Sequence, residues 1–530
     1  MKVEAEATAR ATTPGDGGPK AADRSLSRWV VAAVVAVIAS GVVIRFVTVS
    51  ELWLDEALTV NIADLPLRDI PDWLRHDGAP PLYFFLLHLW DDVFGTSNFA
   101  VRSLSAIFSV ATLVPMWFAG RRIAGPNGGW VAVLVLASSP FAIEYASEAR
   151  MYSLVMLLVT LGYLAVRRLL ERPSLGRQAV VALLTGLLLY TQYWAFYLVA
   201  VVGAWFVWQA WRGTDPDQRH AARAGIVALV AGVITFLPWV PTFLYQSEHT
   251  GTPWGDPVFL TASFAFALRD FAGGEHSEAY VFLVVLILLT IVAVFGRALD
   301  RYRVELDLRT RPGVRVEAAL WVATLLLGGA AAFVTNSTFA GRYASVLYPL
   351  FVLVVVYGLM VFADTRVRAI LLAVVVAFGL VGGARVVFED KTQGQQAADV
   401  IRARAKPGDV VLYCPDQLGP SVSRLLSGTR GLEQLTFPRG DQPDLVDWVD
   451  YKERRDRVNT DAFARQVADR AGPASTIWYV IAVQYRGGNE GRCDAIQRAL
   501  TSLREGQPRL VVQPDDEFFE FLGLIEYPGR

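Results

Sequence analysis

About eleven apolar runs, most of them close to the roughly 20 residues a helix needs to cross a bilayer, constrain this chain more than any other feature. They lie near Trp29–Val49, Phe99–Ala119, Gly129–Pro140, Tyr152–Val166, Val180–Tyr190, Trp194–Trp211, Ile226–Tyr245, Tyr280–Phe295, Ala318–Thr335, Ala344–Phe362 and Ala369–Gly383. The third and fifth are short and are expected to be broken or shifted. Apolar residues make up 54% of the chain and charged ones only 19%, against about 25% charged in a soluble domain. The fold class this predicts is an α-helical polytopic membrane protein. The net charge of −1 sums over compartments that never meet, so it names no partner beyond membrane lipid; no nucleic acid is expected.

Short-loop arginines set the orientation. Arg121 and Arg122 follow the second run, Arg167, Arg168, Arg172 and Arg177 the fourth, and Arg212, Arg219 and Arg223 the sixth. Arg297 to Arg315 follow the eighth, and Arg366 and Arg368 the tenth. These loops belong in the cytoplasm, together with an N-terminal segment, 1–27, whose Ala/Gly/Pro/Thr-rich, aperiodic sequence predicts disorder. No signal-peptide cleavage site follows the first run, so it is read as a retained span. The intervening loops are acidic and aromatic: Glu51 to Asn98 holds Asp55, Glu56, Asp64, Asp69, Asp72, Asp77, Asp91 and Asp92. They face outward, and so does the tail. The expected division is therefore a disordered cytoplasmic 1–27, a membrane domain 28–385 with functional outer loops, and an exoplasmic α/β domain 386–530. Strand-like runs Asp409–Tyr413, Thr476–Val483 and Arg509–Gln513 alternate there with helical stretches Gln393–Ala405, Gly419–Leu426, Asp461–Ala471 and Arg492–Glu505. No Gly-rich phosphate loop follows a strand, so a nucleotide site is not supported. The two cysteines, Cys414 and Cys493, both fall in this tail; an oxidising compartment permits a bridge, and two unrelated thiols remain the alternative.

Four clusters on the outer side carry candidate chemistry. Asp55 and Glu56 follow Trp53 just past the first run, in a headgroup region that is already negative; they read either as functional acids or as solvated loop acids. His76 precedes Asp77-Gly78-Ala79-Pro80-Pro81, where the prolines fix a turn; the histidine alone reads more readily as structural. Glu148, Arg150 and Tyr152 lie between two runs, and Arg342-Tyr343 repeats the arrangement before the tenth. An arginine there can snorkel or grip a lipid phosphate through its planar fork. Two outward arginines run against the general bias and are the more informative for it.

In order and spacing these segments resemble the integral-membrane glycosyltransferases of the C superfamily. The branch they look most like holds the protein O-mannosyltransferases and the lipid A aminoarabinose transferases. The segments that match are Leu52-Trp53-Leu54-Asp55-Glu56, His76 with Ala79-Pro80-Pro81-Leu82-Tyr83-Phe84, Glu148-Ala149-Arg150-Met151-Tyr152, and Arg342-Tyr343 with Pro349. The resemblance implies a donor in which a sugar rides on polyprenyl phosphate, an inverting displacement, and an exoplasmic acceptor that is a glycan, a lipid or a protein. It implies a catalytic pair with Asp55 as base and Glu56 as orienter or donor ligand, Arg150, Arg342 and Tyr343 at the donor phosphate, and His76, Glu148 and Tyr152 at the substrates. Some members of that superfamily use a divalent metal; the ligand set here is too thin to assign one. The expected location is a bacterial inner membrane. A transporter or flippase for a lipid-linked substrate is the competing class. It should carry ionisable residues inside its spans, whereas here charge gathers at one face. A non-catalytic scaffold is the third.

Overall fold

The computed structural model describes residues 28–252, 255, 257–310, 313–482 and 491–530. The segment 1–27, expected to be disordered, lies outside the described residues.

Every apolar run falls on helix. The first lies on α1 (Arg28–Ile44). The second and third are two arms of one helical hairpin, Asn98–Ala137, broken at Ala124 and Gly125. Pro126 and a Gly125 φ of +77° make the break. The arms press together through small residues: a Cβ on Gly120 would stand 2.4 Å from that of Ala132. The third run looks short because it is the returning arm, and the fifth extends to Leu175–Leu189. Six helices among the described residues are long and apolar enough to cross a membrane, and Arg28–Ile44, Leu175–Leu189 and Tyr348–Val361 are shorter apolar ones. The chain is a multi-pass membrane protein.

The segment between the first two runs, read from sequence as an outer loop, folds into three short helices, α2 (Leu54–Ala63), α3 (Ile70–Asp77) and α4 (Leu82–Phe94). None is long enough to span, yet Leu54, Ala57, Leu58, Val60, Ile70, Leu74 and Leu87 are buried. Their apolar faces are covered by the protein itself.

After the helix Thr365–Phe388 the chain builds a five-stranded mixed sheet. Its spatial order is Glu433–Thr436, Val410–Cys414, Ile477–Ile481, Gly523–Tyr527, Arg509–Val512. The first three strands are parallel and the last two antiparallel to their neighbours. Val410–Cys414 and Ile477–Ile481 are buried throughout, as central strands covered on both faces must be. Val410, Leu412 and Ile477 pack with helices Thr460–Ala471 and Arg492–Leu503; Val411, Tyr413 and Trp478 pack with Gly394–Arg404 and Gly419–Leu426. The strands Glu433–Thr436 and Gly523–Tyr527 escaped the sequence reading. The sheet domain is not free of the helices: Val446, Trp448 and Tyr451 belong to the same core as α2 and the membrane helices.

Candidate active site

Asp55 and Glu56 occupy the first turn of α2, where the positive end of the helix favours carboxylates. Successive helical residues point about 100° apart, and that rotation gives the two acids opposite surroundings. Glu56 turns inward and is fully buried. It accepts from Arg102 Nε and Nη2 at 2.7 and 2.6 Å and from the Ala149 amide at 2.8 Å. Arg102 also donates to the Ser50 carbonyl at 2.6 Å. Glu56 thus ties α2, the Asn98–Ala137 hairpin and the Glu148–Arg150 segment together. Its two oxygens accept three hydrogen bonds, an arrangement suited to the orienting role expected of Glu56 beside the base.

Asp55 keeps a partly exposed side chain. Arg342 Nη1 lies 3.3 Å from its Oδ2, and Arg150 Nη2 lies 4.0 Å from the same oxygen. Arg150 Nη1 donates to Thr59 Oγ1 at 2.6 Å and to the Asp55 carbonyl at 3.3 Å, while its buried Nε has no partner. The Arg342 guanidinium stands 5.8 Å from the Trp53 ring and 6.0 Å from that of Tyr343. Tyr343 is stacked on Trp194 at 5.7 Å. The Arg150 guanidinium lies 6.0 Å from the Tyr152 ring, whose hydroxyl is buried without a partner. The sequence placed these side chains in three separate segments; the fold brings Asp55, Arg150, Arg342, Tyr152 and Tyr343 to one place.

His76 and Glu148 are turned to other work. His76 Nδ1 sits 3.0 Å from Asp447 Oδ1 of the sheet domain, and its carbonyl accepts the Trp448 amide at 2.9 Å. Its neighbour Asp77 is the one within electrostatic reach of Asp55 and Arg150. Burial pushes the Asp77 carboxyl up to about 6, Arg150 opposing and Asp55 adding to the shift. Glu148 is buried against the ammonium of Lys391, which also lies 3.8 Å from Glu144. Burial opposes the Lys391 charge, but Glu148 and Glu144 outweigh it and hold its pKa above the usual range. Sequence reasoning missed Asp77, Arg102, Lys391 and Glu520. Arg102, an arginine at the outer end of a run, was the one with a readable signal.

Among the described residues no group of three or more His, Cys, Asp or Glu side chains is gathered to hold a metal. Cys414 and Cys493 are joined as a disulfide that ties the strand Val410–Cys414 to the helix Arg492–Leu503. A cavity of about 820 Å³ lies away from the acids, among Val114, Phe118, Leu161, Leu164, Arg168 and Arg177.

Residues 78–239 match the family model of the dolichyl-phosphate-mannose-protein mannosyltransferases. No curated protein sequence matches the chain. Among solved structures, ArnT from Cupriavidus metallidurans bound to undecaprenyl phosphate is similar, with a TM-score of 0.56 and 14% identity over 95% of this chain and 98% of that one. The apo state of the same protein gives 0.57, also at 14%, over 94% and 98%. The Archaeoglobus fulgidus oligosaccharyltransferase tethered to an acceptor peptide gives 0.50 at 10%, over 90% and 71%. The chain carries the ArnT-like fold, and within it residues 78–239 are similar to the mannosyltransferase family model.

Proposed function

We propose that this protein transfers a sugar from a polyprenyl-phosphate donor to an acceptor on the exoplasmic side of a bacterial inner membrane, with inversion at the anomeric carbon. The observation that carries the reading is the convergence of two largely buried arginines, from separate segments of the chain, on the similarly buried Asp55. A carboxylate and two guanidiniums are what a displacement at a glycosyl phosphate needs: one group to take a proton, two to receive an anion. With about eleven spans and the arginine-rich loops inside, the cluster and the sheet domain fall outside. The similar ArnT binds undecaprenyl phosphate, which suits this reading.

The resting contacts define the order of events. Without donor, both arginines lean on Asp55, and a carboxylate so engaged is a poor base. A donor phosphate offers the guanidiniums a planar, bidentate partner and draws them from Asp55. The freed carboxylate then takes the proton of the acceptor group as its heteroatom bonds to the anomeric carbon. The bond from that carbon to the phosphate oxygen breaks on the opposite face, and its electron pair stays on the lipid phosphate. Arg150 and Arg342 neutralise the charge that grows there. The aromatic faces of Trp53 and Tyr343 hold Arg342 in place. A carrier without chemistry would keep charges free inside its spans. Arg45, the buried arginine of the first run, is instead spent on Ser109 and on the Gly41, Leu136 and Ala137 carbonyls.

The deciding experiment supplies undecaprenyl-phosphate-linked mannose or aminoarabinose to the purified chain, with an envelope extract from a deletion strain as acceptor. Release of undecaprenyl phosphate, with a matching mass gain in an envelope glycan, lipid or protein, is expected. Intact donor together with envelope glycans unchanged in the deletion strain would overturn the proposal.

A further inference from the structure

Two short stretches of the sheet domain reach across to the acids of the helical part. Residues 390–393 directly follow the last long helix, and residues 519–520 precede the last strand. They join each other: Thr392 and Glu520 form a parallel bridge, the Glu520 amide donates to the Lys391 carbonyl at 2.7 Å, and the Gln393 amide to the Glu520 carbonyl at 3.0 Å.

From this ribbon, contacts run to both halves of the candidate site. Glu520 Oε2 accepts the Leu54 amide at 2.6 Å, and the Phe519 ring meets the Trp53 ring edge-on at 5.0 Å. The Lys391 amide donates to Ser50 Oγ at 2.8 Å, and its ammonium pairs with Glu148. Leu54 opens α2, so its amide is one of the donors that a helix leaves unsatisfied. Trp53 offers no side-chain cap. Glu520 supplies that cap from a distant part of the chain, and the residue after Leu54 is Asp55. Glu148, held by Lys391, stands two residues before Arg150.

A plain interface would not need this arrangement. Glu520 is completely buried, and among the described residues its carboxylate accepts from the Leu54 amide and from the hydroxyls of Thr392 and Ser421. A buried carboxylate without a cation is costly to keep, and here its strongest geometric consequence is the placement of α2. We propose that Glu520 and Lys391 are positioning residues, through which the sheet domain sets Asp55 and Arg150 in register. The inference rests on the roles given to those two residues under the proposed function. It assigns the sheet domain to the catalytic centre, whatever else that domain binds.

The test uses the full-length protein carrying Glu520→Ala, Glu520→Gln or Lys391→Met. Amide hydrogen exchange is followed over residues 50–60 and 144–152, with 277–295 as an internal reference. Release of undecaprenyl phosphate from undecaprenyl-phosphate-linked mannose is measured alongside, with saturating envelope extract. Glu520→Ala should raise exchange over 50–60 by about tenfold or more while 277–295 stays protected. It should lower kcat by about 10–100-fold at unchanged donor KM, the cost of a small misplacement. Glu520→Gln keeps an oxygen for Leu54 and should restore most of both. Lys391→Met should loosen 144–152. Wild-type exchange over 50–60 in Glu520→Ala, or loosened exchange with wild-type kcat, overturns the proposal. So does uniform loosening of all three regions that Gln fails to rescue, since that marks global destabilisation. Asp55→Asn is run in parallel. Full activity in that variant would sink the base assignment, while Glu520→Ala would still decide the brace through exchange and kcat.

Discussion

Asp55 and Glu56 are adjacent and of the same chemistry, yet one helical step separates a half-open acid from a sealed one. Replacement should tell them apart. Asp55→Asn keeps shape and removes basicity; turnover should fall at least about 100-fold with unchanged thermal unfolding. A purified Asp55→Asn enzyme retaining more than about a tenth of wild-type turnover would reject its role as general base. Glu56→Gln leaves Arg102 buried without its anion, a loss of about 3–5 kcal/mol, and should show as a lowered Tm and poor membrane yield. A Glu56→Gln protein as stable as wild type but inactive would return that residue to the chemistry. The arginines call for a subtler change. Arg150→Lys and Arg342→Lys keep the charge and lose the fork. Donor KM should rise if the contact is equal in bound donor and transition state, and kcat should fall if it tightens as the phosphate leaves. Acceptor KM should hold. Wild-type donor kinetics in both variants would mean that the side chains only snorkel to headgroups.

Among the elements, the hairpin Asn98–Ala137 and the three short helices after α1 do most to shape the site. The hairpin turns at Ala124–Gly125 beside Arg121 and Arg122, so its turn and its two outer ends lie on opposite sides of the apolar layer. Arg102 at one outer end holds Glu56, and the carbonyls of Leu136 and Ala137 at the other are capped by Arg45. The arginine pattern of the loops predicts a topology. A reporter placed after Arg530 should read as exoplasmic, and one inserted between Asp300 and Thr310 as cytoplasmic. Both reporters on one side would break the arginine rule for this chain.

For the whole molecule, the sheet domain and the helices share buried acids, and those acids make docking depend on pH. Burial raises the carboxyl of Glu520, which holds the Leu54 amide, to about 7, and that of Asp416 within the sheet domain likewise. Groups whose folded pKa is raised bind protons more tightly when folded. The stability they contribute is complete below about pH 4 and is lost as the pH climbs through about 7. Asp447 runs the other way. Burial works against its charge, but the His76 hydrogen bond, the Val449 amide and Arg454 hold it at about 2. Its contribution is present above about pH 4 and lost as the pH falls toward about 2. Docking should therefore be firmest near pH 4–5, about where the two trends cross. Thermal unfolding of purified protein should show a lower Tm at pH 8 than at pH 5, and Glu520→Gln should flatten that slope. Parallel slopes in the two proteins would remove Glu520 from the account.

The apolar runs were legible because each is a property of consecutive residues. A helix long enough to cross lipid must be written as one stretch. Four helices of the tail, and the strands Val410–Cys414 and Ile477–Ile481, could be read for the same local reason, whereas the short helix Tyr451–Arg457 was missed. Glu433–Thr436 and Gly523–Tyr527 could not, because polar or glycine-broken strands owe their state to the neighbours they pair with. The motif segments marked Asp55, Arg150 and Arg342 as candidates, but only packing decided which side chains meet. Glu56 and Glu148 carry the same kind of carboxylate as Asp55, and their burial against Arg102 and Lys391 sets them apart from it. His76 went to Asp447, and Asp77 came within electrostatic reach of Arg150. Lys391 and Glu520 had no signal at all, since their partners lie hundreds of residues away and a contact across that distance is written only in the folded chain.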